Sequence, residues 1–168
     1  MRTVCLVKFV PDVDNFKYDF ERNVLIRENT DLVMNPDDAK ALAFALKMKK
    51  NNPEMTVEIL SMGPKNVIPK LEECLRLKVD HATLISDSMF VGSDTYVTSK
   101  ILATVLNTME YDCILTGTHS LDGDTAHVPS QIAEVLGLDQ LSNVIDISDL
   151  NNNPIKVCVD SEDRKSVV

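Results

Sequence analysis

Short apolar runs of strand length alternate along this chain with longer segments of helical periodicity. Residues 4–10, interrupted only by Lys8, predict a first core strand. The stretch from Asp12 to Asp31 is polar, with Phe16, Tyr18, Phe20 and Val24-Leu25-Ile26 at strand spacing, which predicts a hairpin before the first long helix. That helix is well marked at its start. Asn35 suits the N-cap, Pro36 the first helical position, and Asp37 and Asp38 the positive end of the dipole. Leu42, Leu46 and Met48 give the inward stripe, with Ala39, Ala43 and Phe44 beside it. Lys47, Lys49 and Lys50 sit near the negative end, and Asn51-Asn52-Pro53 stops the helix.

The alternation continues. Residues 56–61, 82–86 and 113–116 read as strands, and 66–77, 93–107 and 125–136 as helices, with Ser93 or Asp94 as a cap and Gly137 as a stop. Short connections between alternating strands and helices predict an α/β fold with a parallel sheet core and helices on both faces. The end of the chain differs. Residues 143–147 and 155–159 read as strands around an Asn151-Asn152-Asn153-Pro154 turn. We expect one domain over 1–147, followed by a strand and charged tail over 148–168 that is partly disordered.

Charge narrows the function. A formal net charge of −9 argues against duplex nucleic acid and anionic membranes as partners, since lysine and arginine supply most of that affinity. A mononucleotide needs only a few backbone N–H donors. Charges interrupt each apolar run well before the ~18 residues of a membrane span. The N-terminus lacks a signal-peptide pattern. Cys5, Cys74, Cys113 and Cys158 show no CxxC spacing and no histidine at zinc-type spacing, so reduced thiols in a cytoplasmic protein, without a metal, are expected.

The five glycines carry the next signal. Gly63 and Gly117 follow strands, and Gly123 precedes the last helix, which places three at the sheet edge where open parallel sheets bind ligands. Each also suits a plain turn. The richest stretch is Gly117-Thr118-His119-Ser120-Leu121-Asp122-Gly123-Asp124-Thr125-Ala126-His127-Val128. It joins a strand to a helix start, where unpaired N–H groups and the dipole favour an anion, and Ser120 and Thr125 add hydroxyls. It is neither a Walker A loop nor a GxGxxG fingerprint. Asp124 is expected to cap the helix, and Asp122 to turn onto loop amides or a ribose. Lys8, closing the first strand, reaches either a phosphate or an acidic loop.

Four ordered segments give the chain a family resemblance. They are Val7-Lys8-Phe9-Val10-Pro11-Asp12; Met34-Asn35-Pro36-Asp37-Asp38-Ala39; Leu60-Ser61-Met62-Gly63-Pro64; and Leu115-Thr116-Gly117 on through Asp122-Gly123-Asp124-Thr125 to Gly137. Over about residues 3–147 the chain resembles the β subunit of electron transfer flavoproteins. The resemblance implies a Rossmann-like, adenine-nucleotide α/β-hydrolase-like fold. It also implies bound AMP or FAD, and a heterodimer with an FAD-carrying α subunit that serves partner dehydrogenases. The matching ligand positions are Leu6, Asn35, Pro36, Asp37 and Asp38, then Ile59 and Met62, and the run from Gly117 to Val128 quoted above; Lys8 joins them as a candidate from its place at the end of the first strand. The family subunit is longer, and its additional part includes the segment that reaches the α subunit and the loop that docks dehydrogenases. Thr118-His119-Ser120 stands where the family often has Lys-Gln-Ala, and His127 where it commonly has Gln.

No acid–base pair or nucleophile stands out, which suits an electron carrier rather than a catalyst, since electron transfer needs a held cofactor and no catalytic side chain. A universal-stress-protein-like ATP or AMP module is the alternative, but its Gly-x₂-Gly-x₉-Gly-Ser/Thr loop is absent. A nucleotide-dependent hydrolase or ligase would need a Ser-Gly-Gly loop, also absent.

Overall fold

The computed structural model describes residues 1–12, 17–19, 24–26, 31–148, 156–160 and 166–167. In chain order the elements are β1 (Arg2–Leu6), β2 (Phe9–Pro11), β3 (Lys17–Asp19), β4 (Val24–Ile26), β5 (Leu32–Met34), α1 (Pro36–Asn51), β6 (Thr56–Met62), α2 (Ile68–Leu75), β7 (His81–Ile85), α3 (Thr95–Leu106), β8 (Cys113–Leu115), α4 (Val128–Leu136), β9 (Val144–Ser148), β10 (Lys156–Val159) and β11 (Ser166–Val167).

The central sheet has the order β7-β6-β1-β8 and is parallel throughout. Strand alternation sorts its side chains into two cores. Cys5, Val57 and Ile59 face one side, where Leu42, Ala45 and Met48 of α1 and Leu71 and Cys74 of α2 cover them. Val4, Leu6 and Leu60 face the other, under Leu102 and Leu106 of α3 and Ile132 of α4. The predicted α/β fold with helices on both faces is therefore present. Ala45, unremarked in the sequence, is fully buried, whereas Ala43 lies at the surface.

The strand predicted over 4–10 is two strands. β1 ends at Leu6, and β2 pairs antiparallel with β5, Phe9 opposite Met34. The parallel ladder stops because Lys8 has other partners. Its N–H donates to an Asp38 carboxylate oxygen at 2.8 Å, and its carbonyl accepts from the Asn35 N–H at 2.8 Å. The predicted hairpin over 12–31 appears as β3 paired antiparallel with β4. Phe16 and Phe20 lie outside the described residues.

Three helices are shorter than predicted. A 3₁₀ turn over Lys65–Val67 leads into α2, which ends at Leu75. Asp94 is the cap of α3, its carboxylate accepting from the Val97 N–H at 2.8 Å. α4 begins at Val128 rather than 125, because Asp124 (φ 47°) and Ala126 (φ 54°) adopt left-handed backbone that no α-helix continues through. Gly137 (φ 64°) ends α4 as expected.

β9, β10 and β11 form a separate antiparallel sheet, with Val157 opposite Ile147. Ile147 packs against the α1–α2 side of the core. The turn predicted over 151–154 and the charged residues 161–165 lie outside the described residues. All four cysteines are free thiols. Burial pushes the Cys5 thiol up to about 12 and the Cys113 thiol up to about 11.

Candidate functional site

The strand order reverses between β1 and β8. From β1 the chain builds outward through β6 and β7, then returns to β8 on the opposite side of β1. In an open parallel sheet this switch point leaves a crevice at the C-terminal strand ends. Lys8, the loop entering α1 and the loop leaving β8 meet there.

Asp38 stands at the centre. Only 8% exposed, it accepts the Lys8 N–H at Oδ2 (2.8 Å) and the Gly117 N–H at Oδ1 (3.1 Å). Burial pushes its carboxyl above the ordinary value, against hydrogen bonds from Lys8, Asn35 and Gly117 that favour the charged form. Gly117 is a glycine for a steric reason. A Cβ there would lie 2.8 Å from the Asp38 nitrogen and from the Asp37 Cβ. The crowding comes from the first turn of α1, since Gly117 is not among the glycines with positive φ.

Asn35 occupies the N-cap position of α1, but its side chain makes no cap bond. Fully buried, it spans the crevice instead. Its Nδ2 donates to the His119 carbonyl at 2.8 Å and its Oδ1 accepts from the Leu121 N–H at 3.2 Å. The capping expectation is corrected because the loop after β8 offers a carbonyl and an N–H that satisfy the amide from both ends.

Lys8 reaches the acidic loop. Its Nζ lies 2.7 Å from Asp122 Oδ2 and 2.8 Å from Oδ1. Burial raises the Asp122 carboxyl, but hydrogen bonds from Lys8 and Ser120, with the Lys8 charge, outweigh it and hold the group below its ordinary value. Asp124, expected as a helix cap, does not cap; His127 holds that position, without a side-chain cap bond. His119 sits between two carboxylates, Nδ1 at 3.3 Å from Asp37 and Nε2 at 3.5 Å from Asp124. A hydrogen bond from Lys40 at 2.9 Å is the main reason that the Asp37 carboxyl lies below its ordinary value.

The remaining predicted positions divide. Leu6 and Met62 pack on the α3–α4 side at the ends of their strands. Ile59 is fully buried in the opposite core, so its side chain serves packing, and its backbone lies between Cys5 of β1 and Ala82 of β7. Thr118, Gly123, Thr125, Ala126 and His127 are exposed along the loop, and Ser120 and Val128 are half-buried. Pro36 opens α1. Lys40 went unnoticed in the sequence, and Ser61 entered only as part of the Leu60-Ser61-Met62-Gly63-Pro64 segment. Asp37 and Lys40 are three apart on a helix, a spacing at which such pairs meet. Ser61, at the end of β6, is buried with its hydroxyl unpaired, which no local pattern signals.

Two features bear on whether an anionic ligand could be held here. α4 starts at the rim without a side-chain cap, whereas the start of α1 is covered by Gly117, whose Cβ position lies 2.8 Å from the Asp38 nitrogen. The four carboxylates would repel phosphate, but each is paired with a cation, an imidazole or backbone N–H groups. Among the described residues, no helix is long and apolar enough to cross a membrane.

The family model described as electron transfer flavoprotein domain matches residues 22–161. Over its whole length the chain is 38% identical to subunit CarD of the caffeyl-CoA reductase-Etf complex of Acetobacterium woodii, covering 60% of that protein. It is 36% identical to the electron transfer flavoprotein subunit beta of Clostridium acetobutylicum, again over all of this chain, and covers 64% of it. Protein FixA of Azotobacter vinelandii is 34% identical over 90% of this chain and 55% of its own length. The chain thus spans less than two thirds of the length of these relatives.

Proposed function

The chain belongs to the electron transfer flavoprotein domain family, and on that premise we propose that it is a β-type subunit which holds AMP or FAD at the β1–β8 switch point. In this reading it pairs with an FAD-carrying α subunit and moves electrons from dehydrogenases in the cytoplasm, as a carrier rather than a catalyst. The observation that carries the reading is the network joining Lys8, Asn35, Asp38, Gly117 and Asp122, which ties the first part of the loop after β8 to the end of β1 and the start of α1.

The roles follow from position. The N–H groups at the start of α4 would take the phosphate, with Ser120 and Thr125 adding hydroxyl donors. Leu6 and Met62 would flank the base. A bound FAD would supply the redox chemistry, whereas AMP would be structural. The identical residues that relate this chain to proteins named as electron-transfer subunits favour this reading over a stress-protein-like module. Purification without added ligand, followed by denaturation and analysis of the supernatant, tests it. Yellow protein releasing FAD supports a flavin-holding subunit, and colourless protein releasing AMP supports a structural nucleotide. No released nucleotide, and no thermal stabilisation by AMP, ATP or FAD, overturns it.

A further inference from the structure

Of the five glycines in the chain, only Gly123 follows an aspartate or asparagine; the others follow Met62, Val91, Thr116 and Leu136. Nothing in the fold demands a glycine at 123. Its φ is not positive, and a Cβ there would meet nothing closer than the Ser120 hydroxyl at 3.6 Å, an ordinary contact. The missing side chain matters instead to the residue before it. A glycine nitrogen has no neighbouring Cβ to keep it from the preceding carboxyl. When the Gly123 nitrogen attacks Cγ of Asp122, an N–Cγ bond forms, one carboxyl oxygen leaves as water, and a five-membered succinimide results. Water then adds to either ring carbonyl. Opening at one restores aspartate. Opening at the other gives isoaspartate, in which the backbone runs through the former side chain. Water is the only co-reactant.

The surroundings of Asp122 oppose this attack. Lys8 Nζ lies 2.7 Å and 2.8 Å from the two Asp122 carboxylate oxygens, and the Gly123 N–H is engaged with the Ser120 carbonyl at 3.3 Å. Burial alone would raise the Asp122 carboxyl, yet the bonds from Lys8 and Ser120 keep it low and charged, the poorer electrophile. Both restraints are partial. The Lys8 and Asp122 side chains are 46% and 37% exposed, where solvent weakens such a pair, and 3.3 Å is long for an N–H···O bond. We propose that Asp122-Gly123 is a modification site at which Asp122 converts to isoaspartate, and that Lys8 slows the conversion by pairing with the carboxylate. Conversion inserts one methylene into the backbone of the loop after β8 and shortens the side chain, so the contact with Lys8 is lost. No step needs a bound nucleotide, so the proposal stands or falls apart from the function proposed above.

The full chain is kept for weeks at neutral pH in water enriched in heavy oxygen, then cut with a protease that cleaves before aspartate but not before isoaspartate. Mass spectrometry reads the resistant bond before residue 122 and the heavy oxygen that enters when the ring reopens. Lys8→Met, Lys8→Arg and Gly123→Ala are treated alongside, with circular dichroism to check that each is folded. A peptide copying Ser120 to Thr125 gives the unguarded rate. We expect isoaspartate at 122 to form more slowly in the native chain than in the peptide. Lys8→Met should form it about threefold faster than the native chain and Lys8→Arg at the native rate, as a weak exposed pair predicts. Gly123→Ala should slow it at least about tenfold, because a Cβ returns beside the attacking nitrogen. Raising the salt screens the pair without any substitution and should speed the native chain towards Lys8→Met. No isoaspartate at 122 in either the native chain or Lys8→Met overturns the site. Equal rates in the native chain, Lys8→Met and high salt overturn the guarding role of Lys8.

Discussion

The backbone N–H of Gly117 donates a 3.1 Å hydrogen bond to Oδ1 of Asp38, across 79 positions of sequence. The same carboxylate takes the Lys8 N–H, so one buried group fastens β1, the start of α1 and the end of β8 at the point where the sheet changes direction. A Cβ at Gly117 would push into the first turn of α1. Gly117→Ala is therefore expected to cost about 1–3 kcal/mol, the usual range for overpacking a close-packed site. Thermal unfolding measures it, and an unchanged midpoint would contradict the packing argument.

Asn35 acts on the neighbouring loop. Asn35→Ala strands the His119 carbonyl and the Leu121 N–H, at about 1–3 kcal/mol for groups left without partners. The loss should be local as well as global. Amide hydrogen exchange across 118–127 is expected to accelerate more than exchange in β1 or β6. Uniform acceleration throughout the domain would show that Asn35 does not act through the loop.

The Lys8–Asp122 pair contributes differently. Both side chains are more than a third exposed (46% and 37%), so solvent screens their attraction. Lys8→Met should cost less than about 1 kcal/mol of stability. Its effect on nucleotide affinity should be larger, about tenfold, because Asp122 then faces the phosphate unneutralised. Titration of AMP or FAD into Lys8→Met, Asp122→Asn and the double variant separates the terms. The double variant should recover much of the affinity, and a recovery of none would place the role of Lys8 elsewhere.

Much of this arrangement was legible in the sequence because strong local signals agreed. The Asn-Pro-Asp-Asp start of α1, the glycine stop of α4 and the alternation of apolar runs each reflect backbone preferences that tertiary contacts did not overrule. What escaped depended on long-range partners. Asn35 has the composition of a cap, yet a carbonyl and an N–H more than eighty residues away outcompete its own helix. Asp124 likewise looked like a cap, but left-handed backbone at 124 and 126 delays α4 to Val128. β1 appeared longer than it is because apolar residues continue past Leu6, while the event that ends the ladder is a carboxylate from α1. Gly117 reads in the sequence as a turn or as room for a ligand, and the structure adds a demand of its own, the close approach of the first turn of α1.

The last prediction concerns acid stability, where two carboxylates pull in opposite directions. Asp80 accepts from Lys49 Nζ at 2.5 Å and from the Val57 N–H at 2.7 Å, tying the approach to β7 to α1 and β6. Burial raises its carboxyl, but Lys49 and the Val57 N–H together bring it below the ordinary 3.8. Its contribution is therefore complete above that value and is lost as pH falls through the lower folded-state value. Asp38 has the opposite sign. Its carboxyl is raised by burial, so its titration removes stability as pH rises from 3.8 to the folded-state value. Asp80→Asn should cost about 1–2 kcal/mol at neutral pH, where the charged pair is intact, and progressively less as pH falls below 3.8. Urea unfolding of the native chain and the variant across that range checks the sign. A difference that stays constant with pH would show that Asp80 stabilises by shape and hydrogen bonding alone, not by its charge.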